Sequence, residues 1–87
     1  MSFRFLNKQQ GVESDKGFVV EFTGRFTLEY RHANFRMECD AETLTNGIAN
    51  VALPELPFGN LTEKRRSEIA QDIREALEFM GLNPEIY

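Results

Sequence analysis

Four sets of residues in this sequence have types and spacings that could carry chemistry. His32 is the only histidine and Cys39 the only cysteine, so together they are the obvious base and nucleophile to test. Three carboxylates alternate between residues 38 and 42, and residues 64–66 are Lys-Arg-Arg, the one basic run of the chain. A purely structural role competes with the functional one in each set.

The histidine and the cysteine do not predict catalysis. His32 falls in a predicted turn, where a solvated side chain is expected, and Cys39 alternates with Phe35 and Met37 on an apolar face. A thiol on such a face is expected to be buried and inert. One cysteine and one histidine cannot form a structural zinc site, and the scattered glycines form no phosphate-binding fingerprint. We therefore predict no catalytic residue, no metal and no cofactor.

The alternating carboxylates Glu38, Asp40 and Glu42 are the strongest candidates for a binding surface. Alternate residues of a strand share a face, so these side chains would stand in a row. The row is either a solvated strand face or an acidic surface that recognises a basic partner. A calcium site fits less well, because such sites need a wrapped loop. With Glu55, these three residues are the predicted partner-binding set.

The basic run 64–66 opens a predicted helix, where the helix dipole favours a bound anion. It could supply one anion contact, or it could be a solvated first turn that is balanced by Glu63 and Glu68.

Size and charge limit the functions further. The 87 residues have room for a single domain, residues 1–87, and the net charge is −4. An acidic chain without a basic patch is a poor nucleic-acid binder but suits a basic protein partner. The single cysteine excludes an internal disulfide, and no apolar run approaches a membrane span. We therefore predict a cytoplasmic protein that contacts neither nucleic acid nor membrane.

A helix over residues 60–80 is the element around which the rest is organised. Asn60 and Glu63 predict a capping box, with Thr62 as an alternative first residue. Gly81 follows the last periodic position and predicts a left-handed C-terminal cap. The spacing of three and four predicts one apolar stripe, made of Ile69, Ile73, Ala76, Leu77 and Met80.

The remaining segments predict short strands. Residues 18–53 alternate as a meander, in which Phe26 is expected to share the buried face of its strand with Leu28 and Tyr30. Asn46-Gly47 predicts a tight turn before a weaker strand at 48–53. Residues 1–17 predict an edge strand followed by a loop or a ragged hairpin, and residues 84–87 a tail strand.

These elements together predict an α+β fold. It consists of an antiparallel β-meander of three to five strands, one long helix packed on one face, and a short C-terminal strand.

The order of elements over roughly residues 18–87 resembles a known family. The meander is followed by a proline-containing link, a capped helix with Arg65-Arg66 near its start, the segment 74–81 and a short terminal strand. This order is similar to that of the small immunity proteins that accompany bacterial polymorphic and contact-dependent-inhibition toxins. The resemblance implies a cytoplasmic bacterial protein without catalysis of its own, which neutralises a cognate toxin domain by tight binding. It transfers no functional residues.

Two classes of function follow. The first is a non-catalytic protein-binding module, an immunity protein that binds a basic toxin domain through Glu38, Asp40, Glu42 and Glu55. The alternative is a small phage or bacterial adaptor or regulatory domain that homo-oligomerises by pairing edge strands at residues 3–6 or 84–87. Both a monomer and a homodimer are therefore open. An enzyme is a third class, and its sign would be a lowered thiol pKa at Cys39.

Overall fold

A computed structural model describes residues 2–6, 10–53 and 63–87. Alternating apolar and polar residues form the strands, and the stripe with a spacing of three and four forms the helix. The elements in chain order are β1 (Phe3–Phe5), β2 (Gly11–Ser14), β3 (Phe18–Gly24), β4 (Thr27–His32), β5 (Phe35–Thr43), β6 (Ile48–Ala52), α1 (Glu63–Phe79) and β7 (Asn83–Ile86).

The strands form one mixed sheet in which the spatial order is the sequence order. The α+β class, the helix and the meander are confirmed. The prediction of three to five strands is wrong, because the described residues already form a sheet of seven. The purely antiparallel arrangement is also wrong, because β7 runs parallel to β6. The helix lies between these two strands in the chain, and such a crossover is the connection that parallel neighbours require.

Tight turns connect the antiparallel strands, and the predicted one at Asn46-Gly47 is present. The prediction that His32 lies in a solvated turn is wrong, because His32 is the last residue of β4, is only partly exposed and contacts the Phe18 ring. Gly17 has a φ of 95° and its N–H donates to the Ser14 carbonyl oxygen at 2.9 Å, which closes the β2–β3 turn. Gly47 has a φ of 86° in the β5–β6 turn. Both backbones are in the left-handed region that glycine adopts without steric strain. The predicted first strand and loop is a hairpin, because β1 pairs with β2.

The helix buries the predicted stripe against one face of the sheet. Ile69, Ile73, Ala76 and Leu77 are buried, and Met80 is partly buried beside them. These side chains join one core with the inward-facing residues of the strands, whose buried members are Val12, Phe18, Val20, Leu28, Tyr30, Met37, Cys39, Ala41, Ala49, Val51 and Leu53.

The C-terminal cap of the helix also matches the prediction. Gly81 has a φ of 86°, its N–H donates to the Glu78 carbonyl oxygen, and the Leu82 N–H donates to the Leu77 carbonyl oxygen at 3.0 Å. This pair of bonds is the Schellman motif, which satisfies carbonyl groups that the last helical turn leaves unpaired.

One buried hydrogen bond joins the helix to the centre of the sheet. Tyr30 is fully buried on β4, and its hydroxyl group donates to Asp72 Oδ2 on α1 at 2.7 Å. Burial and the Asp72 carboxylate both raise the pKa of the Tyr30 hydroxyl group. The hydrogen bond supplies the partner that a buried tyrosine hydroxyl needs, and it orients the helix on the sheet.

One residue that the sequence predicts in the core is exposed. Other predictions concern residues outside the described ranges. Phe26 is 56% exposed, because the register of β3 and β4 shifts between Phe22 and Gly24 and β4 begins only at Thr27. The predicted helix cap at Asn60 and the proline-containing link at 54–59 lie outside the described residues.

Candidate protein-binding surface

The sheet has an outer face, which is the side turned away from α1. Alternate residues of each strand point to it, and the strand register brings their side chains into rows across the sheet. Glu21, Glu29 and Glu38 lie directly opposite one another on β3, β4 and β5, and the next row contains Arg31 and Arg36. Charged residues therefore dominate this face.

The first part of the outer face, on β1 to β4 and the start of β5, contains glutamates that are all ion-paired. We call it the paired half. Its members are Arg4, Glu13, Glu21, Glu29, Arg31 and Arg36.

Glu29 is the centre of the paired half. It is only 4% exposed, it accepts from Arg36 Nε at 2.5 Å, and it forms a second ion pair with Arg31, which also contacts Glu21 at 3.1 Å. Burial alone would raise the pKa of Glu29, but the hydrogen bonds and charges of the two arginines outweigh it, and the pKa is lowered. Glu29 is thus ionised and compensated.

The second part of the outer face, on β5 to β7, is different. We call its carboxylates Glu38, Asp40, Glu42 and Glu85 the acidic half. All four are exposed, and none forms an ion pair among the residues that the structure describes. Glu42 and Glu85 lie on either side of Asn50 in one cross-strand row. Two strand spacings, roughly 10 Å, separate these two carboxylates, so they add to one negative surface without being directly opposed.

The predicted row of carboxylates on β5 therefore exists. Glu38, Asp40 and Glu42 alternate with the buried Met37, Cys39 and Ala41, as the sequence pattern indicates. Glu55, the fourth predicted partner-binding residue, lies outside the described residues.

A cavity of about 270 Å³ opens within the acidic half. Asp40, Glu42 and Asn50 supply its polar lining, and Phe26 and Tyr87 supply aromatic rings. These rings are 56% and 64% exposed, the most exposed large apolar side chains among the described residues. The sequence predicts two of these five residues as binding residues. The others were missed because exposed rings and a central asparagine have no periodic signal.

The structure does not bring Cys39 and His32 together. Cys39 is 1% exposed, and burial raises the pKa of its thiol to about 12, with Asp40 adding to the rise. Cys39 lies opposite Leu28, whereas His32 lies four residues further along β4, a separation of roughly 13 Å. The pair is therefore too far apart for proton transfer, and Cys39 lacks the lowered pKa of a nucleophile.

The remaining candidates have structural contacts. Arg65 lies 3.8 Å from Glu68 Oε1, as the predicted balance of charge requires, but it also packs over the Phe35 ring and is therefore not simply solvated. Within the described ranges, no group of three or more His, Cys, Asp or Glu side chains could hold a metal ion.

Comparisons with known proteins do not assign the chain to a family. No family model, no curated protein and no solved structure matches the chain. In the part of the chain that the structure describes, no helix is both long and apolar enough to cross a membrane.

Proposed function

We propose that this protein is a non-catalytic binding module of the cytoplasm, which neutralises a basic partner protein through the acidic half. The proposal depends on one observation, namely that the two halves of the outer face differ in whether their carboxylates are ion-paired. Glutamates of the paired half each have an arginine, whereas the four carboxylates of the acidic half have none among the described residues. The sequence resemblance supports a bacterial immunity protein whose partner is a toxin domain.

Unneutralised carboxylates on a rigid sheet favour this function physically. A fixed cluster of one sign steers a partner of opposite sign and raises the rate of association. Positions on a regular strand also fix the backbone that carries the charges, so that only the side chains must be ordered when the partner binds. The raised thiol pKa of Cys39 supports a role that does not depend on catalysis.

Affinity capture from a lysate of the encoding strain tests the proposal. The immobilised protein is compared with Glu38→Lys/Asp40→Lys, and with Glu75→Lys/Glu78→Lys on the helix as a control with the same charge change. We expect one stoichiometric basic partner, which moderate salt releases and which the first variant loses while the control retains it. A partner that binds both variants equally, or no partner at all, would refute the assignment of the acidic half.

A second candidate function is homo-oligomerisation through β1, and the two edges of the sheet favour this strand over β7. The Leu6 N–H donates to the Gly11 carbonyl oxygen, and the Ser2 carbonyl oxygen accepts from the Asp15 N–H, so these groups face β2. The backbone groups of Phe3 and Phe5 therefore point to the open edge. The β7 edge contains Pro84, which lacks an N–H, and Arg74 Nη1 lies 3.5 Å from its carbonyl oxygen. Proline and a capping arginine discourage strand pairing at that edge.

Light scattering at low and high concentration tests this second candidate. Phe5→Pro removes an N–H that points to the open edge without removing a bond to β2. A dimer that forms at high concentration and is lost in Phe5→Pro would support the second candidate. A monomer at every concentration would exclude it.

A further inference from the structure

We infer that the cavity of the acidic half binds the guanidinium group of an arginine side chain from the partner. The inference rests on the proposed function, since it names the chemical group by which a basic partner is recognised. It depends on three features of the cavity, namely its polar lining, its aromatic rings and an oxygen that lacks a hydrogen-bond donor.

The polar lining is rich in hydrogen-bond acceptors, since two of its three polar side chains are carboxylates. Asp40 and Glu42 are separated by one residue on β5, so their carboxylates project from the same face, and Asn50 lies directly opposite Glu42 on β6. Asn50 Oδ1 is screened from solvent and accepts no hydrogen bond from the described residues. A screened amide oxygen without a donor is unfavourable, so a donor that reached it from the cavity would gain a hydrogen bond.

The aromatic rings suit a planar cation. Phe26 and Tyr87 both line the cavity, and the face of an aromatic ring attracts a cation. The Phe26 ring already makes such a contact, since the guanidinium carbon of Arg25 lies 5.5 Å from its centroid. Arg25 itself does not line the cavity. The Tyr87 hydroxyl group donates to Glu85 Oε2 at 3.2 Å, which places that ring beside the carboxylates.

Among cations, arginine matches this set of groups best. Its guanidinium has five donors and no acceptor, it is flat enough to stack on a ring, and it bonds carboxylates in a bidentate manner. A lysine ammonium is a strongly hydrated point charge with three donors and gains less from the rings. A metal ion would need more oxygen ligands than the two carboxylates and one amide that line the cavity.

A titration with small probes tests the inference without the partner. The probes are N-acetyl-Gly-Arg-Gly-amide, its lysine and citrulline counterparts, and free L-arginine, and the readout is the amide ¹H–¹⁵N spectrum of the whole chain. We expect the arginine peptide to shift the signals of Phe26, Glu42, Asn50 and Tyr87, with the lysine peptide roughly fivefold weaker. The neutral citrulline peptide should not bind, and free arginine, which has the same guanidinium group, should shift the same signals.

Variants locate the site within the acidic half. Asp40→Asn/Glu42→Gln should weaken the arginine peptide about tenfold, since both charge-assisted hydrogen bonds are lost. The matched variant Glu38→Gln/Glu85→Gln removes the same charge outside the cavity, while the new amide oxygen at residue 85 still accepts from the Tyr87 hydroxyl group. It should weaken the arginine peptide only about twofold, by loss of long-range attraction. Tyr87→Leu, an exposed substitution that folding tolerates, should weaken the arginine peptide more than the lysine peptide.

Two results would overturn the inference. Equal binding of the arginine and lysine peptides, with equal losses in the two double variants, would show a diffuse acidic surface and leave the proposed function standing. Absence of shifts at the cavity would also overturn it, whatever the capture experiment shows. A failed capture experiment together with a specific arginine shift would instead overturn the proposed function and retain the guanidinium site.

Discussion

The two halves of the outer face contain carboxylates of the same kind in opposite electrostatic situations. In the paired half, Glu29 is nearly inaccessible and two arginines surround it. In the acidic half, Asp40 and Glu42 are exposed, with no ion pair among the described residues, and they line a cavity with two aromatic rings. Both halves lie on one continuous sheet, so differences in backbone geometry do not explain the contrast.

The contrast separates charge that stabilises the fold from charge that is left for a partner. A buried carboxylate requires local compensation, because taking an unpaired charge out of water is very unfavourable. An exposed carboxylate has no such requirement and can remain unpaired with little loss of folding stability. We therefore expect substitutions in the paired half to change folding stability and substitutions in the acidic half to change binding.

The largest effect on stability is expected when both arginines around Glu29 are removed. Arg31→Ala/Arg36→Ala leaves a buried carboxylate without a cation and should lower the free energy of unfolding by about 3 kcal/mol. Urea denaturation monitored by circular dichroism measures this. Arg4→Ala, which removes an exposed arginine of the same half, should lower it by only about 0.5 kcal/mol. If the double variant were as stable as Arg4→Ala, the ion pairs of Glu29 would stabilise the fold no more than an exposed ion pair does. That result would contradict the role in stability that we assign to the paired half.

The second-largest effect on the free energy of unfolding is expected at low pH, through Glu29 in the paired half. The pKa of Glu29 is lowered in the folded state from its ordinary value of 4.5, so its contribution to stability is fully present above that value. It is lost as the pH falls through the lower pKa of the folded state. The free energy of unfolding should therefore decrease as the pH is lowered below 4.5, and the dependence should flatten in Glu29→Gln. An unchanged slope in that variant would show that other carboxylates cause the acid sensitivity.

Neutralisation of the acidic half should leave stability almost unchanged. Glu38→Gln/Asp40→Asn/Glu42→Gln removes mutual repulsion and should change the free energy of unfolding by about 0.5 kcal/mol or less, toward greater stability. Added sodium chloride should stabilise the wild type more than this variant, because salt screens the repulsion. A loss above about 1 kcal/mol would mean that these carboxylates support the fold.

The smallest effect is expected at Cys39, which lies beneath the acidic half and points away from it. Its thiol is buried and has a pKa of about 12, so the folded protein should not react measurably with a disulfide reagent at pH 8. The same chain in urea should react rapidly. Fast reaction of the folded protein would contradict the burial of Cys39 and reopen a catalytic role.

Local sequence patterns predicted a large part of the fold. The helical stripe, the cap at Gly81 and the turn at Asn46-Gly47 depend on neighbouring residues alone, and the structure confirms them. Alternation also predicted that Glu38, Asp40 and Glu42 share an outward face. Phe26 was misplaced because the shift in register before it depends on how β3 pairs with β4, and periodicity within one strand contains no information about pairing.

The sequence by itself therefore determined which residues point inward and which point outward on α1 and β5, because side-chain direction follows from local backbone geometry. Only the tertiary structure decided that β7 returns parallel to β6, that Arg31 and Arg36 neutralise Glu29, and that Asp40 and Glu42 share a cavity with Tyr87. Each of these depends on register between strands, which brings together residues distant in sequence. Ionic pairing across a sheet is thus a property of the assembled fold.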